Sequence, residues 1–283
     1  MQLVLQLAYK GTRYHGFART RPHNNVYTIS TCAHEGKVLP TVQAELESAL
    51  STIFRRTIEL VCAGRTDAGV HAYDQFVNFM LDETEELELV KDPKRFALRL
   101  LKSLNALLSS NITIRAIYQA HDDFSSRFSA LWRLYRYRLK IGACKPCLAE
   151  EFVTWEKREL NTKAMQEALV YLRGEHDFAS FCKSRSAQGK NTRRTILGLE
   201  LFEEELLGEK TLCLEIKATA FLHSMVRTIM GSLIEIGAGH RDPSWIQEVL
   251  AAKDRSAAGP NAPAKGLCLW QLAYREGDLI KLL

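Results

Sequence analysis

The run Ile58-Glu-Leu-Val-Cys-Ala63, then Gly64-Arg-Thr-Asp-Ala-Gly-Val-His71, then Asp74-Gln-Phe-Val-Asn-Phe-Met-Leu81, decides the fold of the first half of the chain. The two outer pieces are rich in β-branched and aromatic residues, which predicts two strands. The middle piece contains two glycines, which permit tight backbone bends. The run therefore predicts a rigid turn, held between two strands, that presents Arg, Thr, Asp and His.

Two predicted elements precede this unit and two follow it, which gives the order β-α-β-β-α-β. They are a strand at residues 3–9, a helix at 42–54, a helix at 93–108 and a strand at 112–119. This is the order of the split βαβ arrangement of ferredoxin-like domains, so an α+β fold is expected. The polar residues 19–40 form a connection longer than usual and predict a functional loop that adjusts substrate choice.

The second half also mixes strands and helices. Its first predicted strand, residues 128–141, has one basic face because aromatic and basic side chains alternate there. Further strands are predicted at 195–202, 211–219 and 267–274, and helices at 162–172, 220–236 and 242–252. Gly174 is predicted to cap the end of the first of these helices, and Asp242 to cap the start of the last, with Pro243 at its first position.

A chain of 283 residues is longer than one core usually supports, so two domains are expected. The boundary is placed near Ala120. Residues 1–120 form an N-terminal α+β domain with the Asp67 turn, and residues 121–283 a C-terminal α+β domain with the basic strand and a cleft-facing helix. A hydrophobic content of 46% and a charged content of 25% argue against disorder, fibres and membrane insertion.

Charge and cysteine content point to a class of partner and a compartment. The net charge is +5, and basic residues cluster at 13–21, 127–145 and 183–194. Such clusters suit a polyanion, although solvated surface faces explain each of them equally well. Seven cysteines and no visible export signal predict thiols in a reducing compartment, the cytoplasm.

Asp67 is the candidate for chemistry. An aspartate in such a turn can serve only the backbone, as an Asx-turn. A lone carboxylate also suits nucleophilic or general-base work on an electrophilic carbon, provided that a nearby cation keeps it ionised. The chain shows no second carboxylate at glycosidase spacing, no HExxH and no GxxxxGK. Asp67 would therefore act alone.

The sequence resembles the TruA-type tRNA pseudouridine synthase family. Ala63-Gly-Arg-Thr-Asp-Ala-Gly-Val-His71 matches the family signature, and further matches run along almost the whole chain: Tyr9-Lys-Gly-Thr-Arg-Tyr-His-Gly16, Phe128-Ser-Ala130, Tyr135-Arg-Tyr137, Gly174-Glu-His-Asp-Phe178, Phe221-Leu-His-Ser-Met-Val-Arg227 and Ala258-Gly-Pro-Asn-Ala-Pro-Ala264. The resemblance implies two ferredoxin-like α/β halves joined into a mixed, mainly antiparallel sheet with a central active-site cleft.

The resemblance also implies an activity. Uridine becomes pseudouridine in the anticodon stem-loop of tRNA, with Asp67 as nucleophile, no metal or organic cofactor, and a homodimer as the working form. Whether Asp67 attacks the base or the ribose is left open, because both routes need an ionised carboxylate. No membrane partner is expected.

Three more residues receive roles from the resemblance as substrate-binding groups. Tyr135 would pack on the uracil, Arg227 would pair with the catalytic aspartate, and Arg65 would enter the space left by the flipped base. Each has a plainer interpretation: a core tyrosine, a structural ion pair and a phosphate contact. Cys144-Lys-Pro-Cys147 lacks the second pair that such zinc sites need. A non-catalytic tRNA-binding or RNA-chaperone protein, and a hydrolase that uses Asp67 as a base, are the rival functions.

Overall fold

The computed structural model describes residues 1–18, 40–183, 189 and 191–283. The predicted loop at 19–40 lies outside the described residues apart from Pro40, and so does much of the basic cluster at 183–194. The chain divides into two compact units. The first comprises Met1–Leu131 with Gln271–Leu283, and the second comprises Trp132–Trp270.

The helices and strands follow one another in mixed order along the described residues. The strands are β1 Gln2–Tyr9, β2 Val61–Cys62, β3 His71–Met80, β4 Ile112–Ala120, β5 Trp132–Ile141, β6 Thr154–Glu156, β7 Gly174–Asp177, β8 Arg193–Leu206, β9 Glu209–Ala218, β10 Leu267–Ala273 and β11 Ile280–Lys281. The helices are α1 Val42–Phe54, α2 Glu83–Lys91, α3 Pro93–Leu107, α4 Thr162–Ala168, α5 Met225–Gly237 and α6 Trp245–Ala252.

The first unit is built on an antiparallel sheet in the order β11-β4-β1-β3, with β2 paired to β3. Because β3 lies between β1 and β2, the predicted split βαβ arrangement is confirmed. The core residues Leu3, Leu5 and Leu7 on β1 are fully buried. The predicted strand at 58–63 is shorter, and only Val61–Cys62 pairs with β3.

Helix α2 was not predicted, although its sequence carries a clear start signal. The Asp82 carboxylate accepts a hydrogen bond from the N–H of Glu85, and the Glu85 carboxylate accepts one from the N–H of Asp82, each at 2.9 Å. This is a capping box, which satisfies two of the donors that a helix start leaves unpaired. The apolar spacing of this segment is weak, so periodicity alone did not indicate a helix.

The second unit is built on strands in the order β10-β5-β9-β8-β7, and β6 is parallel to β5. The β5–β9, β8–β9 and β7–β8 pairs are antiparallel, so β9 separates β5 from β8 in the same split arrangement. The predicted α+β class with mainly antiparallel sheets is confirmed. The units divide at Leu131 rather than near Ala120, because residues 124–131 pack with the first unit. The predicted central cleft stays a prediction.

Several predicted boundaries in the second half are wrong. Gly174 begins β7 with a φ of +87° instead of capping a helix, since α4 ends at Ala168 and a 3-10 turn follows. Helix α5 begins at Met225 rather than at residue 220, after Ser224 in a left-handed conformation. Helix α6 begins after Ser244, so Asp242 is not its N-cap. None of the helices that the structure describes is long and apolar enough to cross a membrane.

Candidate active site

The turn that carries Asp67 starts at Gly64, and the side chain of Gln75 holds that residue. Gln75 lies on β3 and is fully buried. Its amide nitrogen donates to the carbonyl oxygen of Gly64 at 2.7 Å, and its amide oxygen accepts from the N–H groups of Gly64 and Phe76 at 3.3 and 3.2 Å. A single side chain thus pairs both backbone groups of Gly64, as a neighbouring strand would.

Residues 67–70 form a tight turn. The N–H of Val70 donates to the carbonyl oxygen of Asp67 at 3.1 Å, and Gly69, the third residue of the turn, has a φ of +79°. A positive φ at that place defines a type II turn and favours glycine. The sequence Asp-Ala-Gly-Val therefore fixes the backbone on which the Asp67 side chain stands.

A segment just after β1 packs against this turn through close backbone contact. A methyl group on Gly11 would approach the carbonyl oxygen of Val70 to 2.0 Å, so only glycine fits there. The N–H of Gly11 donates to Nδ1 of His71 at 3.1 Å. Since Nδ1 accepts this bond, it carries no proton. His71 thus bonds to the backbone of this segment.

Thr66 ties the middle of the turn to β1. Its hydroxyl lies 2.7 Å from the hydroxyl of Tyr9, and its carbonyl oxygen accepts from the N–H of Phe17 at 3.2 Å. Thr66 is buried, whereas its neighbour Arg65 is exposed and Asp67 is half-buried. The buried threonine anchors the turn, and the two functional candidates flank it with access to solvent.

Tyr135 lies on β5 in the second unit. Its side chain is 7% exposed, and its ring meets the ring of Phe221 edge to face, with 4.9 Å between the ring centres. Edge-to-face contact orients an aromatic ring. Phe221 received no role from the sequence, although its aromatic ring in the matched stretch Phe221-Leu-His-Ser-Met-Val-Arg227 was an available signal.

Arg227 lies in the first turn of α5, also in the second unit, and is half-buried. Its Nε donates to the carbonyl oxygen of Ala262 at 2.8 Å, and the N–H of Ala262 donates back to the carbonyl oxygen of Arg227 at 3.0 Å. The loop at 258–263 runs so close to α5 that a methyl group on Gly231 would approach the carbonyl oxygen of Pro260 to 1.7 Å. This loop fixes the arginine side chain.

The predicted basic face of β5 does exist, but its charge is largely offset. Each cation meets a carboxylate from β8 or β9: Arg136 with Glu215 at 2.8 Å, Arg138 with Glu204, and Lys140 with Glu209 at 3.0 Å. The guanidinium groups of Arg136 and Arg138 also lie over the Trp270 ring. The prediction that this strand has one basic face is confirmed, and carboxylates distant in sequence offset much of its charge.

Cys144 and Cys147 are both exposed thiols. Within the described ranges, no group of three or more His, Cys, Asp or Glu side chains is arranged to hold a metal ion. Arg65 and Asp67 thus share one turn in the first unit, while Tyr135 and Arg227 lie in the second. That the four act on one substrate stays a prediction.

Comparison with known proteins covers both units. A family model described as tRNA pseudouridine synthase matches residues 168–275. A tRNA pseudouridine synthase A from Francisella tularensis subsp. novicida is 37% identical over 273 residues, which is 96% of this chain and 94% of that protein. This chain belongs to the tRNA pseudouridine synthase A family. The resemblance read from the motifs is confirmed.

Two further synthases of this family show the same extent of likeness. The Xanthomonas euvesicatoria protein is 37% identical over 267 residues, 94% of this chain and 93% of its own length. The Alcanivorax borkumensis protein is 37% identical over 275 residues, 97% of this chain and 92% of its own length. Members of the family are isomerases that convert uridine to pseudouridine.

Proposed function

We propose that this synthase isomerises uridine to pseudouridine in the anticodon stem-loop of tRNA, with Asp67 as its nucleophile. The observation that carries the proposal is the anchoring of the Asp67 turn. Gly64 is held by Gln75, Thr66 by Tyr9, and Gly69 donates its N–H to the carbonyl oxygen of Tyr14 at 3.3 Å. A half-buried carboxylate on so constrained a backbone suits attack in a fixed direction.

The chemistry balances without an oxidant, a metal or a second substrate. The N1–C1′ bond of the uridine breaks, the uracil turns, and a C5–C1′ bond forms. The hydrogen on C5 leaves as a proton, and N1 gains one. The carboxylate of Asp67 forms and then releases a covalent bond, so the enzyme is regenerated.

The remaining predicted residues are proposed as substrate-binding groups. The flat ring of Tyr135, oriented by Phe221, suits stacking on uracil. Arg227, whose Nε is occupied by Ala262, is proposed as the cation that favours the ionised carboxylate. Arg65 is exposed beside Asp67 and suits insertion into the helix from which the base is flipped.

We further propose that the synthase works as a homodimer in the cytoplasm. The family resemblance alone supports the dimer, because members of the family act as homodimers that form one tRNA-spanning surface. The cysteine content and the tRNA substrate class support the compartment. Sedimentation of the purified protein and fractionation of the cells that make it test these two statements.

The function is tested by incubating the synthase with unmodified tRNA and separating the nucleosides of the digested product. The proposal expects pseudouridine in the anticodon stem-loop and no released uracil. Free uracil would instead indicate a hydrolase. Tight tRNA binding without any new nucleoside would indicate the non-catalytic RNA-binding protein.

A further inference from the structure

Phe128 is, at 80%, the most exposed large apolar side chain among the described residues of the first unit. The neighbouring Arg127 is also exposed, and its guanidinium carbon lies 5.3 Å from the centre of the Phe128 ring. An aromatic face beside a guanidinium group offers π-stacking and a positive charge at one place. Bases of single-stranded RNA and their phosphates are recognised by that pair of groups.

The backbone under Phe128 is held in one shape. Residues 125–129 form a single helical turn, in which the N–H of Ser129 donates to the carbonyl oxygen of Ser125 at 2.9 Å. The N–H of Ser125 in turn donates to the Ser129 hydroxyl at 3.1 Å. The turn is thus closed on itself, and it points residues 127 and 128 outward.

Buried groups of the first unit fasten this turn from below. The N–H of Ser126 donates to the amide oxygen of Asn78 on β3 at 2.8 Å, and its carbonyl oxygen accepts from the Tyr274 hydroxyl at 2.9 Å. Phe124, which is 2% exposed, packs edge to face on the Tyr274 ring. The inward residues are therefore locked while the phenyl ring stays in solvent, so little backbone freedom is lost when a flat partner stacks on the ring.

We propose that Phe128 and Arg127 form a stacking platform for an unpaired base of the RNA substrate. The platform adds affinity for the RNA and does not take part in bond making. This inference rests on the proposed function only in that the substrate is tRNA. A second copy of the chain is the alternative occupant, and the test below separates the two.

The experiment measures tRNA affinity, steady-state kinetics and sedimentation for Phe128→Ala, Phe128→Trp and the wild type. Phe128→Ala is expected to raise Kd about 5- to 150-fold, the range for loss of one base–aromatic stack. KM should rise in parallel while kcat is kept, because the interaction is equal in the ground and transition states. Phe128→Trp is expected to restore affinity, since any flat ring provides the stack.

Two controls make the result specific. Leu87→Ala removes another side chain of the first unit that is 72% exposed, and it should change Kd less than about twofold if mere apolar exposure is not what binds RNA. The salt dependence of binding should keep its slope in Phe128→Ala and lose about one counterion in Arg127→Ala.

Unchanged Kd in Phe128→Ala would overturn the platform. The platform would also be overturned if Phe128→Ala lost the dimer in sedimentation while the assembled protein kept its RNA affinity. The ring would then serve a contact between subunits. Failure of the proposed function looks different: the wild type would make no pseudouridine, while the ratio of Kd values between Phe128→Ala and the wild type would still report on stacking.

Discussion

Gln75→Glu keeps the shape of the side chain that holds the start of the Asp67 turn but removes the hydrogen atoms of its amide group. In the wild type, the neutral amide nitrogen of Gln75 donates to the carbonyl oxygen of Gly64 at 2.7 Å. A carboxylate has no proton there, so it would place a negative oxygen against another oxygen. Its second oxygen would still accept from the N–H groups of Gly64 and Phe76.

The size of the effect follows from burial and from the lost hydrogen bond. A buried acceptor that loses its donor costs about 1–3 kcal/mol. Gln75 has no exposed surface, so burial should raise the pKa of the introduced carboxyl group well above its usual value of about 4.3. Each unit of that rise corresponds to about 1.4 kcal/mol between the two protonation states. The protonated form regains the donor.

The sign of the pH dependence is fixed by linkage. A carboxyl group whose pKa is higher in the folded chain stabilises that chain below its unfolded pKa, and the benefit disappears as the pH rises through the folded pKa. Urea unfolding should therefore place Gln75→Glu within about 1 kcal/mol of the wild type at pH 5 and at least about 3 kcal/mol below it at pH 8. Pseudouridine formation should fall over the same interval as the turn loosens.

Gln271→Glu is the matched control, because Gln271 is an exposed glutamine on β10. Its stability difference from the wild type should stay within about 0.5 kcal/mol at both pH values. An equal loss of stability for Gln75→Glu at pH 5 and pH 8 would contradict this prediction. It would show that the amide proton donated to Gly64 is not what the position requires.

Three further outcomes follow from other parts of the structure. Burial raises the pKa of the Asp74 carboxyl group, so the contribution of this group to stability is lost as the pH rises from about 4 toward neutrality. In urea unfolding, the free energy of unfolding of Asp74→Asn should therefore rise relative to that of the wild type over that interval. Parallel pH curves for the two proteins would contradict this. Glu204→Gln removes the carboxylate partner of Arg138, which is 5% exposed, and should lower the free energy of unfolding by about 1–3 kcal/mol. Glu175→Gln breaks an exposed ion pair and should lower the free energy of unfolding by less than about 1 kcal/mol. Equal losses would exclude burial as the cause of the difference. Gly231→Ala puts a methyl group 1.7 Å from a backbone oxygen of the adjacent loop and should lower the free energy of unfolding by at least about 1–3 kcal/mol. The Tm should fall by a few degrees, and an unchanged Tm would contradict this.

Local signals in the sequence predicted the framework of both units. Alternating apolar residues predicted β1, and β-branched and aromatic residues predicted β3. The paired glycines around Asp67 predicted the tight turn, because glycine adopts the positive φ of Gly69 without strain. Those features depend on residues close together in the chain. The capping box that starts α2 was also local, and only its weak apolar spacing concealed it.

Contacts between residues distant in the sequence could not be predicted from such local signals. Glu204 and Glu215 neutralise the basic face of β5 from two other strands, so the local excess of arginine overstated the open positive charge. The hydrogen bonds between Gln75 and Gly64 depend on a strand pairing that brings these two residues together. The start of α5 was placed too early because residues 220–224 are apolar enough to extend the pattern, while Ser224 breaks it with a left-handed backbone.

Tritium release measures directly whether Asp67 is the nucleophile. The synthase is incubated with tRNA labelled at C5 of uracil, since rejoining through C5 expels that hydrogen. Under single-turnover conditions with saturating enzyme, Asp67→Asn should bind tRNA like the wild type and release tritium at least about 1,000-fold more slowly. Asp123→Asn, an exposed aspartate of the same unit, should behave like the wild type. Tritium release by Asp67→Asn at the wild-type rate would contradict the assignment of Asp67 as the nucleophile.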